Sequence, residues 1–272
     1  MQQQRAARPL FQVSVIAVML FEIAALFARS ALELRLASDG FSRPVAKDLS
    51  YLVVPPLLFT LMYPYLRRNK AALSSLFKPS AITARLVLLS IALGLILRIT
   101  YWAVVTLLIW CGVIHNEEPG AFAGPLIGFQ CQLASVALSL AVVSLLIPLI
   151  EETINRGFLL HVLLPRGDRT AIVISALLFA LMHLPATYPT AFAVGLLFAI
   201  QTLNYGTLWA PVVAHASFNA ATVFDWECFR IVWNPPASDP TLAKAALLAA
   251  PTAVLGTLLA AFIVSRKAAG TC

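Results

Sequence analysis

The sequence predicts an all-α polytopic membrane protein, and three observations carry that reading. Of its 272 residues, 60% are hydrophobic and only 11% are charged. Its mean hydropathy is +0.87. Several apolar runs approach or exceed the roughly 20 residues that a helix needs to cross a bilayer. A soluble domain carries about 25% charged residues, so a soluble globular fold is excluded. Disorder is excluded too, because so apolar a chain must bury itself.

The spans follow in order. Runs at about 10–28, 49–66, 86–110 and 243–264 each predict one crossing. The stretch 131–164 is too long for one span yet has no loop composition, so it reads as one long helix kinked near Pro148. The proline ring there denies a hydrogen bond to the Ser144 carbonyl. Shorter runs at 171–184, 190–204 and 207–224 are separated by Pro185–Pro189 and Asn204-Tyr205-Gly206. About eight transmembrane helices result, in a single membrane domain over 1–272 without internal repeats.

The net charge of +7 is held by basic residues that flank apolar runs, which anchors them at a membrane face and predicts no nucleic-acid partner. Placing both termini in the cytoplasm gathers Arg67, Arg68, Lys70, Lys78, Arg85, Arg166, Arg169 and Arg266 on that side, with the uncharged-to-acidic 111–129 loop outside. Arg29, Arg35, Arg43 and Lys47 break this pattern in the first outer loop. The first run contains Glu22 and ends in Phe27-Ala28-Arg29, without a small-x-small cleavage site. Cys111, Cys131 and Cys228 fall on the outer side, where one disulfide is possible; Cys272 forms no prenylation box. His115, Glu117 and Glu118 read as a solvated turn ended by Pro119-Gly120. Tyr188, Tyr205, Trp226 and Trp233 sit near span ends as interfacial anchors.

Ionisable side chains inside a span are costly, so each is a candidate site. They are Glu22, Arg98, Glu151, Glu152, Arg156, His161, His183 and His215, with Asn155 and Asn219 as neutral company. Glu152 and Arg156 are four apart, as are Glu151 and Asn155, Phe179 and His183, and His215 and Asn219, so each pair shares a helix face. At about 1.5 Å per residue, Glu151 and His183 each lie roughly 20 Å from the cytoplasmic helix ends, and Asn219 also at roughly 20 Å. Three helices are therefore expected to bring a carboxylate, imidazoles and an amide to similar depth.

Glu151-Glu152-x-x-x-Arg156, Phe179-x-x-x-His183 and His215-x-x-x-Asn219, in that order, resemble the three motifs of the CPBP intramembrane proteases. That family includes the CaaX-prenyl endopeptidases, Abi-type proteins and bacteriocin self-immunity proteins. The resemblance covers about 140–225, a catalytic core, and leaves 1–130 as accessory helices. It implies an eight-helix fold and hydrolysis of a peptide bond near the C-terminus or membrane anchor of a membrane-associated protein or peptide. It assigns Glu151 and His183 to water activation, and His215 and Asn219 to the oxyanion. Composition and family analogy together place the chain in a bacterial cytoplasmic membrane, in protein sorting or peptide maturation.

The residues support such chemistry, since peptide hydrolysis needs a base, an acid and donors where negative charge develops. Glu151, His183 and His215 would also make a two-histidine, one-carboxylate zinc site, although no H-E-x-x-H is present. Metal-free glutamate catalysis and a divalent metal such as zinc both stand. Glu152 and Arg156 read as a helix-internal ion pair, or else Arg156 holds a substrate carboxylate. Phe179 packs, or walls a substrate groove. His161 reads as interfacial. Glu22 and Arg98 pair across helices as a structural lock, or line a substrate entrance. Two other classes compete: a non-catalytic immunity or scaffold protein of the same fold, and a proton-coupled transporter, which lacks repeated halves.

Overall fold

The structure is a computed structural model describing residues 11–113, 131, 133–183, 187–225, 228 and 241–266. Every regular element among the described residues is helical. His115, Glu117, Glu118, Trp226, Trp233 and Cys272 lie outside them.

Ser14 starts α1, Val15–Ser38, by accepting the Ala17 N–H on its hydroxyl at 3.3 Å. The expected second span is broken at its outer end into α2, Arg43–Tyr51, and α3, Val54–Arg68. A short helix α4, Lys70–Leu76, follows on the expected cytoplasmic side. Helix α5, Ala84–Trp110, is opened by Thr83, whose hydroxyl accepts the Leu86 N–H at 3.1 Å.

The long fourth span does more than kink. It runs as α6, Leu133–Ser139, a π-helical stretch Leu140–Leu146, α7, Ile147–Glu152, a second π stretch Thr153–Leu159, and α8, Leu160–Leu163. The first π stretch ends against Pro148: the Ile147 N–H reaches back five residues to the Val142 carbonyl. Pro148 has no N–H to offer, so the Val143 carbonyl loses a donor if the π register continues, and is skipped if the α register resumes. The sequence-level expectation of a proline break is therefore met as a register change, and the carbonyl orphaned by π pairing is Val143.

Gly167, at φ 106°, turns the chain into α9, Asp168–Leu181. Helix α10, Tyr188–Tyr205, α11, Trp209–Phe224, and α12, Thr241–Ser265, complete the order. Five helical segments are long and apolar enough to cross a membrane by themselves: Val15–Ser38, Val45–Arg68, Ala84–Trp110, Val136–Arg166 and Leu242–Ser265. The other three expected crossings are shorter or less apolar, with α9 at 14, α10 at 18 and α11 at 16 residues. They carry most of the site and pack among the longer helices.

Two close approaches fix those site-bearing helices. A Cβ at Gly94 of α5 would collide with the Ala214 carbonyl and lie 2.8 Å from Ser217 Cβ, so α11 rests directly on α5 backbone. A Cβ at Gly195 of α10 would lie 3.1 Å from Ala176 of α9. Small residues at such crossings let helices approach where lipid supplies no hydrophobic drive. Meanwhile Ile16, Leu20, Phe27 and Leu34 of α1 and Leu247, Leu248, Leu255 and Leu258 of α12 are exposed. Those apolar faces belong in hydrocarbon.

Cys131, before α6, is bonded to Cys228, beyond α11, while Cys111 is free and exposed. The bridge joins the outer ends of the two helices that carry Glu151 and His215.

Candidate active site

A chain of charges runs through the interior. Arg156 Nε lies 3.1 Å from Glu152 Oε2, and both side chains are almost wholly buried, at 1% and 0% exposure. Glu152 Oε1 meets His215 Nδ1 at 2.8 Å. His215 Nε2 in turn lies 3.8 Å from Glu151 Oε2. Arg156 holds Glu152 as an acceptor, so His215 presents its Nδ1–H to it and turns Nε2 toward Glu151. The last gap is longer than a hydrogen bond and leaves the Glu151 oxygen available for another partner.

Aromatic rings enclose the relay. Arg156 Cζ sits 4.3 Å from the Phe179 ring centre and 5.6 Å from that of Phe198, and its Nη2 donates to the Gly195 carbonyl at 3.4 Å. The His215 ring lies 5.5 Å from Phe198 and 6.1 Å from Phe179. Burying the guanidinium among π faces limits the cost of its desolvation.

On the other side of Glu151 lies a cavity of about 50 Å³, lined among others by Glu22, Tyr51, Glu151, Asn155, Phe179 and His183. His183 donates from Nδ1 to the Phe179 carbonyl at 2.8 Å, which leaves its Nε2 as an acceptor. Asn155 donates to the Glu151 carbonyl at 2.9 Å, inside the second π stretch. Asn219 behaves differently: its Nδ2 donates at 2.9 Å to the Val143 carbonyl, the group that Pro148 leaves without a backbone donor.

With this geometry established, comparison with known families is informative. Residues 133–221 match the model of the Rce1-like family, the type II CAAX prenyl endopeptidases. This match supports the resemblance of that segment to the CPBP family. No curated protein and no solved structure gave a match.

The CPBP segment contains all the residues that its three motifs single out, and the structure places them as follows. Glu151 and His215 approach each other, and Glu151 and His183 line one cavity. Glu152 and Arg156 are the expected ion pair, and Arg156, at 1% exposure, is closed to a substrate carboxylate. Phe179 is 2% exposed, packed on Arg156 and His183 while also walling the cavity. Asn219 lies one turn beyond His215 and faces the π stretch.

Two expectations are corrected. The conditional zinc set Glu151, His183 and His215 does not converge: among the described residues, no three His, Cys, Asp or Glu side chains are arranged to hold a metal ion. The lock between Glu22 and Arg98 does not form. Arg98 pairs instead with Asp225 at 2.8 Å, its guanidinium 4.4 Å from the Trp102 ring centre, which ties α5 to the end of α11. His161 is half-buried near the end of its span, with Nδ1 2.6 Å from the Arg156 carbonyl and its ring 5.1 Å from that of Phe11.

Sequence reasoning missed the Glu152–His215 bond, because helix-face arithmetic pairs residues within a helix and this bond crosses between helices. It also missed Asp225, which falls just past the expected span 207–224. A carboxylate six residues past Asn219, with an unexplained buried arginine elsewhere in the chain, was the available signal.

Proposed function

We propose that this chain is an intramembrane endopeptidase that hydrolyses a peptide bond near the C-terminus or membrane anchor of a membrane-associated protein or peptide. The observation that carries the reading is the relay Arg156–Glu152–His215–Glu151 beside a small cavity into which Glu22, Glu151, Asn155 and His183 bring polar groups among apolar side chains. Buried charges on this scale are costly; a protein that only filled space would be better served by apolar side chains. The family in which residues 133–221 fall is proteolytic in character.

Glu151 is the base. Its side chain is 31% exposed and unpaired on its own helix, so it can reach a water. His183, with Nε2 as acceptor, orients that water from α9. As Glu151 takes the proton and charge builds on the carbonyl oxygen, His215 stabilises it. Held at Nδ1 by Glu152, this imidazole keeps its Nε2 edge turned toward Glu151 and the reacting carbonyl. Asn219 contributes the one amide hydrogen not given to Val143. Glu152 and Arg156 fix the tautomer and orientation of His215 without touching substrate. No step requires a metal.

The reading places the chain in a bacterial cytoplasmic membrane with both termini on the cytoplasmic side, acting in protein sorting or peptide maturation. The test is a comparison of membranes carrying wild-type protein or Glu151→Ala, searched by mass spectrometry for C-terminally trimmed peptides. One or a few proteins should lose a trimmed form in the variant. An unchanged set of termini, with the variant folded and abundant, would favour the non-catalytic scaffold.

A further inference from the structure

The site as described has a base and oxyanion donors but no dedicated acid for the departing amine. A second carboxyl group faces the same cavity from outside the CPBP segment. Glu22, on α1, is 7% exposed, and its Oε2 makes no hydrogen bond. Glu22 and Glu151 line one cavity with Asn155 and His183. Arg156 is engaged by Glu152 at 3.1 Å and Arg98 by Asp225, so neither of these buried arginines is the ion-pair partner of Glu22. A carboxyl in the middle of a membrane helix, with one oxygen left without a hydrogen bond beside this cavity, has no packing rationale.

We propose that Glu22 is the proton donor to the leaving amine, forming with Glu151 a two-carboxyl pair across the water cavity. Two carboxyl groups around a space of about 50 Å³, room for a small number of waters, hold one proton between them, because like charges so confined repel. Glu151 is more exposed and faces His215, so it keeps the charge and Glu22 keeps the proton. In the reaction, the water oxygen bonds to the carbonyl carbon as Glu151 takes the water proton. The C–N bond then breaks as Glu22 gives its proton to nitrogen. Glu151 returns its proton to Glu22, leaving a carboxylic acid, an amine and a reset site. This assignment rests on the endopeptidase reading and adds α1 to the catalytic machinery.

The experiment uses purified full-length protein in lipid nanodiscs and two forms of one peptide, containing the cleavage site identified in wild-type membranes. One form carries the natural amide; the other is a p-nitrophenyl ester, whose leaving group departs without a proton. Glu22→Gln, nearly isosteric, should lower kcat on the amide by about 10²–10⁴-fold and leave the ester within about threefold of wild type. Glu22→Asp, which retains an acid, should restore part of the amide rate. Amide cleavage at the wild-type rate, or an equal fall on amide and ester, would overturn the proposal and make Glu22 structural. Glu151→Gln separates the two claims. If it alone abolishes cleavage of both forms, only the Glu22 assignment is lost; if it too leaves amide cleavage untouched, the endopeptidase reading is lost.

Discussion

A histidine between two carboxylates can serve as acid, base or donor, and its neighbours decide which. For His215 the decision belongs to Glu152, whose Oε1 lies 2.8 Å from Nδ1. Glu152→Gln keeps the shape but offers an amide that can turn either end to the imidazole, so the fixed tautomer is lost. The expected result is a kcat lower by about 100-fold or more, with KM little changed, as for other carboxylates that orient a catalytic histidine. Steady-state kinetics on purified protein checks it. Arg156 acts one step further back. Replacing it with Met leaves Glu152, at 0% exposure, a buried charge that has lost its guanidinium and keeps only the His215 imidazole. A stability loss of about 3–5 kcal/mol follows, measurable as a fall in the unfolding midpoint in detergent. The spacing of Glu152 and Arg156 made this pair legible in the sequence, because a four-residue separation puts both on one helix face. The bond to His215 was not legible, since nothing in a single helix's periodicity says which neighbour it will meet.

At the scale of helices, the site depends on an irregularity that the sequence signals only as a proline. Pro148 marks where the long helix leaves its π register, and Asn219 of α11 donates to the Val143 carbonyl left without a backbone donor. The side chain therefore joins the Glu151-bearing helix to the His215-bearing one. Asn219→Ala should destabilise the protein by about 1–3 kcal/mol, the cost of an unmet buried carbonyl, in addition to any loss of rate. A variant that loses activity with its unfolding midpoint unchanged would reduce Asn219 to an oxyanion donor. The contact between α5 and α11 is equally specific. Gly94→Ala drives a methyl group into the Ala214 carbonyl next to His215, and overpacking of this kind costs about 1–3 kcal/mol. The same thermal unfolding assay reads it. Glycine at position 94 gave no warning of this role, because the sequence does not show which helix crosses there.

Over the whole molecule, composition and run length suffice for the all-α membrane class, and the order of polar residues along apolar helices suffices for the three motifs. Assembly is where single-chain arithmetic ends. Equal depth set Glu151 level with His183 and Asn219, but it did not predict the approach of His215 to Glu151, and the zinc site suggested from these residues is not one the side chains form. The pairing expected between Glu22 and Arg98 does not form either, since Arg98 meets Asp225. Depth fixes one coordinate of three, and rotation about each helix axis sets the rest. Because no three ligating side chains converge among the described residues, treatment with EDTA or phenanthroline should leave proteolysis intact, and a loss restored by zinc would contradict the glutamate mechanism. The most direct measurement is the cleavage rate of one identified membrane substrate by purified wild-type protein and Glu151→Gln in the same nanodiscs. The account expects the variant to fold normally and cleavage to fall by about 10²-fold or more. A folded Glu151→Gln protein that cleaves at the wild-type rate would contradict it.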